Sequence, residues 1–125
     1  MPWRTRSAPI TEQAEILSII GDVRDRTALL VDDFVISGGT LVQAANALMD
    51  LGANNVYTAV THGVFADQTI EAFDDSPIEL LFVTNTVEPR TPASSPKVEV
   101  VSVGPLFGEA IRRIHQRESI SVLFN

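Results

Sequence analysis

Two adjacent carboxylates, Asp32 and Asp33, follow an apolar run in the stretch VDDFVISGGT, and Ser37–Gly38–Gly39–Thr40 comes five residues after Asp32. Ionised carboxylates accept hydrogen bonds, and the vicinal hydroxyls of a ribose are matching donors. The same oxygens are hard ligands suited to Mg2+, which bridges to phosphates through water. Ser37 and Thr40 offer hydroxyl donors, and the glycines Gly38 and Gly39 let backbone approach a ligand closely. A helix starting there presents free N–H groups and a positive dipole end. Together these groups can hold a phosphate dianion without a nearby lysine. The spacing matches the reach from ribose hydroxyls to a 5-phosphate. Asp32 and Asp33 are thus candidates for a sugar, with Mg2+ through the ligand, and Ser37, Gly38, Gly39 and Thr40 for its phosphate. Taken alone, S-G-G-T also reads as a plain strand-to-helix turn, and Asp33 as its cap.

Other chemistries lack their residues. Neither GxxxxGK[ST] nor GxGxxG is present, which excludes a Walker loop and a dinucleotide fingerprint. Ser37 has no evident His–Asp partner and no GxSxG context. No cluster of His and acids has zinc-ligand spacing. His62, in VTHGVF, can either contact a ligand or fix the following loop. His115, beside Arg112 and Arg113, reads as part of a solvated helix face.

Positioning these residues falls to alternating strands and helices. Thr27–Val31 is a short apolar run, as expected of a buried strand. Leu41, Ala44, Ala45, Leu48 and Met49 recur at helical spacing, and the helix starts near Gly39 or Thr40 and stops at Gly52. Strands are predicted over Asn55–Val60, Ile78–Val83 and Val98–Val103. Helices are predicted over Ala66–Phe73 and around Leu106–Ile114. Ala14–Ile20 fits a strand or a short helix; residues 1–13 read as a flexible arm and 14–125 as one domain. Thr86–Pro96 holds three prolines and reads as a loop. The tail is expected to dock by Ile120, Val122, Leu123 and Phe124. The fold class is α/β: three α/β/α layers around a mainly parallel sheet covered on both faces. Ligands in such sheets sit beyond the carboxyl ends of the strands. Asp32 and Asp33, Thr61 and His62, and Thr84 and Asn85 all fall there.

Composition agrees with a soluble globular domain. The chain has 125 residues, 45% hydrophobic and 20% charged, with a net charge of −7 and no cysteine. Disulfide and thiolate chemistry are excluded, which is compatible with a cytoplasmic protein. Nine acids and no Lys or Arg fall between Arg26 and Arg90. Such a chain is a poor partner for nucleic acid or anionic membrane. No apolar run approaches the ~18 residues of a membrane span, and the start MPWRTRSAPITEQ has no apolar core of signal-peptide type.

VDDFVISGGT followed by an Ala-rich helix resembles the PRPP motif of type I phosphoribosyltransferase-like proteins. With AEILSIIGDV, GANNVYTAVTHGVF, LLFVTNTVEP and VVSVGPLFGEAIRRIHQRESISVLF in order, the chain from Ala14 to Phe124 resembles the C-terminal half of ribose-phosphate pyrophosphokinases. The resemblance implies that Asp32 and Asp33 contact ribose hydroxyls and that Ser37, Gly38, Gly39 and Thr40 hold the 5-phosphate of ribose 5-phosphate or PRPP, with Mg2+. It implies an oligomer, and an ATP-binding half supplied by a separate partner chain, so that the isolated chain is inactive. Ile36 departs from the pattern, since many family members carry an acid there. A non-catalytic binding or regulatory module is the alternative.

Overall fold

Parallel neighbours need a crossover between them, and the apolar runs separated by helical segments supply it. The computed structural model describes residues 21–88 and 95–125. Strands β1 (Thr27–Val35), β2 (Asn55–Gly63), β3 (Ile78–Thr84) and β4 (Val98–Val101) form one sheet in the order β1-β2-β3-β4. Every pairing is parallel. Helices α1 (Gly39–Asp50), α2 (Thr69–Asp74) and α3 (Gly104–His115) alternate with them, and a 3₁₀ turn covers Ser121–Phe124. The α/β class and the parallel sheet are as expected. The predicted element over Ala14–Ile20, the arm over residues 1–13 and the middle of the 86–96 loop lie outside the described residues.

Right-handed crossovers fix where the helices go. The steps from β1 to β2 and from β2 to β3 run in one direction across the sheet, so α1 and α2 share one face. There α1 buries Leu41, Ala44, Ala45 and Leu48, and the two alanines are fully covered. Their short side chains bring the helix close to Leu30, Val56 and Val60 of β1 and β2, and Leu81 and Val83 of β3 belong to the same core. Phe73 of α2 and Ile78 complete this core. Full burial of each large side chain contributes about 1.5–3 kcal/mol.

The boundaries show what periodicity misses. β1 runs four residues past its predicted end at Val31, so Asp32 and Asp33 lie within the strand. The ladder explains this: Asp32 pairs with Val60, Phe34 with His62 and Val35 with Gly63. The acids are tolerated because β1 is an edge of the described sheet and its outward face is open. α2 begins at Thr69 rather than Ala66, and β4 ends at Val101 rather than Val103. α1 stops as predicted. Gly52, at φ 95°, donates its N–H to the Met49 carbonyl (2.9 Å) and Ala53 to that of Leu48 (3.0 Å), the paired bonds that close a helix end. Lys97 closes α2, its Nζ donating to the carbonyls of Phe73, Asp74 and Ser76 at 3.3, 3.0 and 2.9 Å.

Among the described residues the helical cover lies on one face of the sheet. On the other, Leu29, Val31 and Val101 are exposed, and Tyr57, Ala59, Leu80 and Phe82 half-buried. Helix α3 buries no residue, and Leu106, Phe107, Ile111 and Ile114 stay exposed. The tail does not dock as expected, since Ile120, Val122 and Phe124 are exposed and Leu123 is half-buried. Polar bonds hold it instead: Arg113 Nη1 donates to the Ser119 carbonyl (3.1 Å) and Arg112 Nη2 to Glu118 (3.2 Å). No described helix is long and apolar enough to cross a membrane.

Two outcomes follow from this packing. Leu81→Ala, at a fully buried site, lowers unfolding free energy by about 2–5 kcal/mol; Val31→Ala, 73% exposed, changes it by under about 1 kcal/mol. Urea denaturation distinguishes them, and equal losses would show that the open face is covered in solution. The hydrogen bond from Arg112, aided by Arg113, holds the Glu109 carboxyl at about 2 against an ordinary 4.5. A depressed carboxylate stabilises the fold above its unfolded value and loses that contribution as pH falls through the folded one. Glu109 should therefore titrate by NMR at about 2, its support for α3 fading from pH 4.5 downward; a midpoint near 4.5 would show the ion pairs unformed.

Candidate functional site

The turn between β1 and α1 is built from below by α2. Thr69 Oγ1 donates to the Ile36 carbonyl at 2.5 Å. A Cβ on Gly38 would stand 3.0 Å from the Phe73 ring, and Gly38 has φ +76°. Both facts require glycine there, because left-handed backbone is strained for other residues. Gly38 is the N-cap of α1, and the first helical bond runs from the Val42 N–H to the Gly38 carbonyl at 3.0 Å. The N–H groups of Gly39, Thr40 and Leu41 precede that bond and have no partner within the helix. No side chain caps α1, and its first turn holds no acid. This helix start leaves its positive end to an incoming anion.

Gly39 differs from its neighbour. It is exposed, and an added Cβ would meet only Ser37 Oγ, at 3.8 Å. The fold therefore does not need glycine at this position. A hollow of about 210 Å3 opens here, lined by Asp32 and Asp33 on one side and by Ser37, Gly38 and Thr40 on the other, with Phe34, Val35, Ile36 and Leu41 between them. The structure thus brings Asp32, Asp33, Ser37, Gly38 and Thr40 around one cavity, with Gly39 within the same turn.

The acids are held by backbone. Asp32 Oδ1 accepts from the Asp33 N–H (3.0 Å), and Asp33 Oδ1 from the Phe34 N–H (2.9 Å). A side-chain hydrogen bond with Asp32, then the Phe34 N–H, then the positive charge His62 can carry hold the Asp33 carboxyl below the ordinary 3.8. Asp33 is accordingly an ionised acceptor at neutral pH, as a sugar hydroxyl requires.

The other strand-end pairs are spent on structure. His62 Nδ1 bonds Thr86 Oγ1 at 2.6 Å, so it fixes the loop after β3. Thr84 and Thr86 hydroxyls both donate to the Thr61 carbonyl, at 2.5 and 3.1 Å. Asn85 clamps the start of α3: its Oδ1 accepts from the Val103 N–H (2.9 Å) and its Nδ2 donates to Ser102 Oγ (3.3 Å). The strand-end positions of Thr61, His62, Thr84 and Asn85 pointed to this rim, and the T-x-T spacing of Thr84 and Thr86 is a further signal for the network. Asp32 and Asp33 supply the hard oxygens of the site, and no described group of three or more His, Cys, Asp or Glu could hold a metal ion. This donor set fits a magnesium that arrives with phosphates, filling most of its sphere with ligand oxygens and water.

The family of the phosphoribosyl synthetase-associated domain matches residues 5–125. The chain belongs to that family. It is 47% identical over 116 residues to the ribose-phosphate pyrophosphokinase of Caldanaerobacter subterraneus subsp. tengcongensis, covering 93% of this chain and 37% of that protein. It is 46% identical over 123 residues to the Caulobacter vibrioides enzyme of the same name, covering 98% and 39%. A crystal structure of phosphoribosylpyrophosphate synthetase from Mycobacterium smegmatis superposes with a TM-score of 0.73 at 35% identity, covering 79% of this chain and 33% of that one. The chain thus spans little more than a third of the length of the curated relatives it matches.

The two central glycines should separate cleanly. Gly38→Ala destabilises the fold by about 1–3 kcal/mol through its left-handed backbone and the Phe73 contact. Gly39→Ala leaves stability unchanged or raises it by about 0.5 kcal/mol. Thermal or urea unfolding of both variants checks this, and a loss at Gly39 as large as at Gly38 would contradict the division.

Proposed function

We propose that this chain is the ribose-5-phosphate and PRPP-binding part of a ribose-phosphate pyrophosphokinase, acting in cytoplasmic nucleotide biosynthesis. The observation that carries it is Gly39. It is an exposed glycine with open space above it, at an uncapped helix start whose neighbours Ser37, Gly38 and Thr40 face Asp32 and Asp33 across one hollow. Family membership supports the same reading. The 5-phosphate sits on the N–H groups of Gly39 and Thr40 and the hydroxyls of Ser37 and Thr40, while Asp32 and Asp33 accept from the ribose hydroxyls. In the full reaction the ribose C1 oxygen attacks the β-phosphorus of ATP, the bond to the α-phosphate oxygen breaks, and AMP leaves. Asp32 and Asp33 would hold a magnesium ion through the bound ligand, and the ion would supply charge neutralisation at the phosphates.

This chain's share is to orient ribose 5-phosphate. Pyrophosphoryl transfer demands charge neutralisation around the phosphates, and residues 27–89 contain no Lys or Arg. ATP binding therefore falls to another region or to a partner chain, and the domain works in an oligomer. One observation favours a second reading, a binding or regulatory module without chemistry: Ile36, an exposed apolar residue in the site turn, can neither accept a hydroxyl nor bind a metal.

Calorimetric titration with ribose 5-phosphate and with PRPP, with and without Mg2+, tests the proposal. Saturable binding should weaken tenfold or more in Asp33→Asn, as expected from losing a hydrogen bond to a charged group worth about 1.5–3 kcal/mol. It should vanish in Gly39→Val. Binding that is absent, or untouched by both substitutions, sinks the reading. The purified chain should form no PRPP from ATP and ribose 5-phosphate; product from the chain alone would remove the need for an ATP-binding partner.

A further inference from the structure

Ile36 is chemically out of place in the hollow it lines. Asp32 and Asp33 stand on one side and the start of α1 on the other, and between them Ile36 is 52% exposed. An apolar side chain left open to water in a polar cavity contributes little to the fold. The backbone nonetheless fixes it there. The Ile36 carbonyl accepts from the Ala66 N–H at 3.0 Å and from Thr69 Oγ1 at 2.5 Å.

A divalent cation in this hollow meets oxygen on one side only. Mg2+ demands a near-octahedral shell of oxygens and gives up its waters reluctantly. Asp32 and Asp33 offer carboxylates, and one oxygen of each already accepts a backbone N–H, at 3.0 and 2.9 Å. Ile36 adds no oxygen from its side chain. Among the described residues no third His, Cys, Asp or Glu completes the pair into a group that could hold a metal ion. The far side is the N-terminal end of α1, whose partial positive charge repels a cation.

We propose that Ile36 makes the metal requirement of this site depend on the ligand: ribose 5-phosphate binds without Mg2+, and PRPP binds with it. The inference rests on the phosphoribosyl reading of the Asp32–Thr40 site. Ribose 5-phosphate places its one phosphate on the α1 start, across Ile36 from the acids, so that phosphate bridges no cation to Asp32 or Asp33. PRPP adds a diphosphate at C1, next to the C2 and C3 hydroxyls that the acids accept from. There the ligand itself supplies the phosphate oxygens, and Mg2+ relieves the repulsion between diphosphate and carboxylates. An acid at position 36 would give the cation a third carboxylate and remove the difference between the two ligands.

Calorimetry on the full chain and on Ile36→Asp decides this, with MgCl2 alone, ribose 5-phosphate and PRPP as probes. The parent chain should show no saturable Mg2+ binding below about 1 mM. Mg2+ should change its affinity for ribose 5-phosphate by less than about twofold and raise that for PRPP about tenfold or more. In Ile36→Asp, Mg2+ alone should bind saturably below about 1 mM, and its presence should raise the affinity for ribose 5-phosphate about tenfold. An unchanged urea midpoint shows that the variant is folded; if it is not, the three titrations of the parent chain decide alone. Saturable Mg2+ binding by the parent, a tenfold Mg2+ effect on its affinity for ribose 5-phosphate, PRPP binding indifferent to Mg2+, or a folded variant that behaves as the parent overturns the role of Ile36 and leaves the phosphoribosyl reading standing. Binding of neither sugar phosphate by either chain overturns both.

Discussion

Handedness of the parallel crossover is the constraint on which the rest of this molecule depends. A strand–helix–strand unit closes back on its sheet with one hand. The strands here step in one direction, so both connecting helices must lie on one face. That single choice sets the core, in which the fully buried Ala44 and Ala45 carry α1 close to the sheet. It also brings α2 under the β1–α1 turn, although α2 follows the next strand. The opposite face can be covered only by elements outside these crossovers, and among the described residues none lies on it.

The site inherits its shape from that arrangement. Helix α2 is six residues long, yet it supplies both supports of the turn: the Thr69 hydroxyl on the Ile36 carbonyl and the Phe73 ring against Gly38. One glycine answers to the fold and the next to whatever approaches from solvent. Lys97, donating into the end of α2 from the segment before β4, ties this support to the far side of the sheet. The rim is divided by role: threonines, His62 and Asn85 join loops to one another, and the first strand and first helix turn their polar groups outward.

Much of this was legible in the sequence. The strand–helix alternation, the start and stop of α1 and the grouping of Asp32 and Asp33 with the Ser37–Thr40 turn all follow from local patterns of apolar spacing, glycine and acid placement. The end of β1 was not legible, because propensity reads two aspartates as a break while the ladder to β2 carries them on. The tail misled for a related reason. Ile120, Val122 and Phe124 look like docking residues by type, yet ion pairs and backbone bonds from Arg112 and Arg113 determine its course. The exposed face was hidden as well, because an apolar strand reads alike whether its second cover is present or not.

Strand order has a consequence for how such a chain acquires its shape. From β2 onward, each described strand lies beside the one made just before it, so the pairings among them join segments a few tens of residues apart. The sheet can extend from its newest edge as the polypeptide leaves the ribosome: β2 settles on β1 across α1, β3 on β2 across α2, and none of the four described strands waits for a distant partner. Assembly in the direction of synthesis keeps the loop that each closure must order short, and with it the entropy lost at each step.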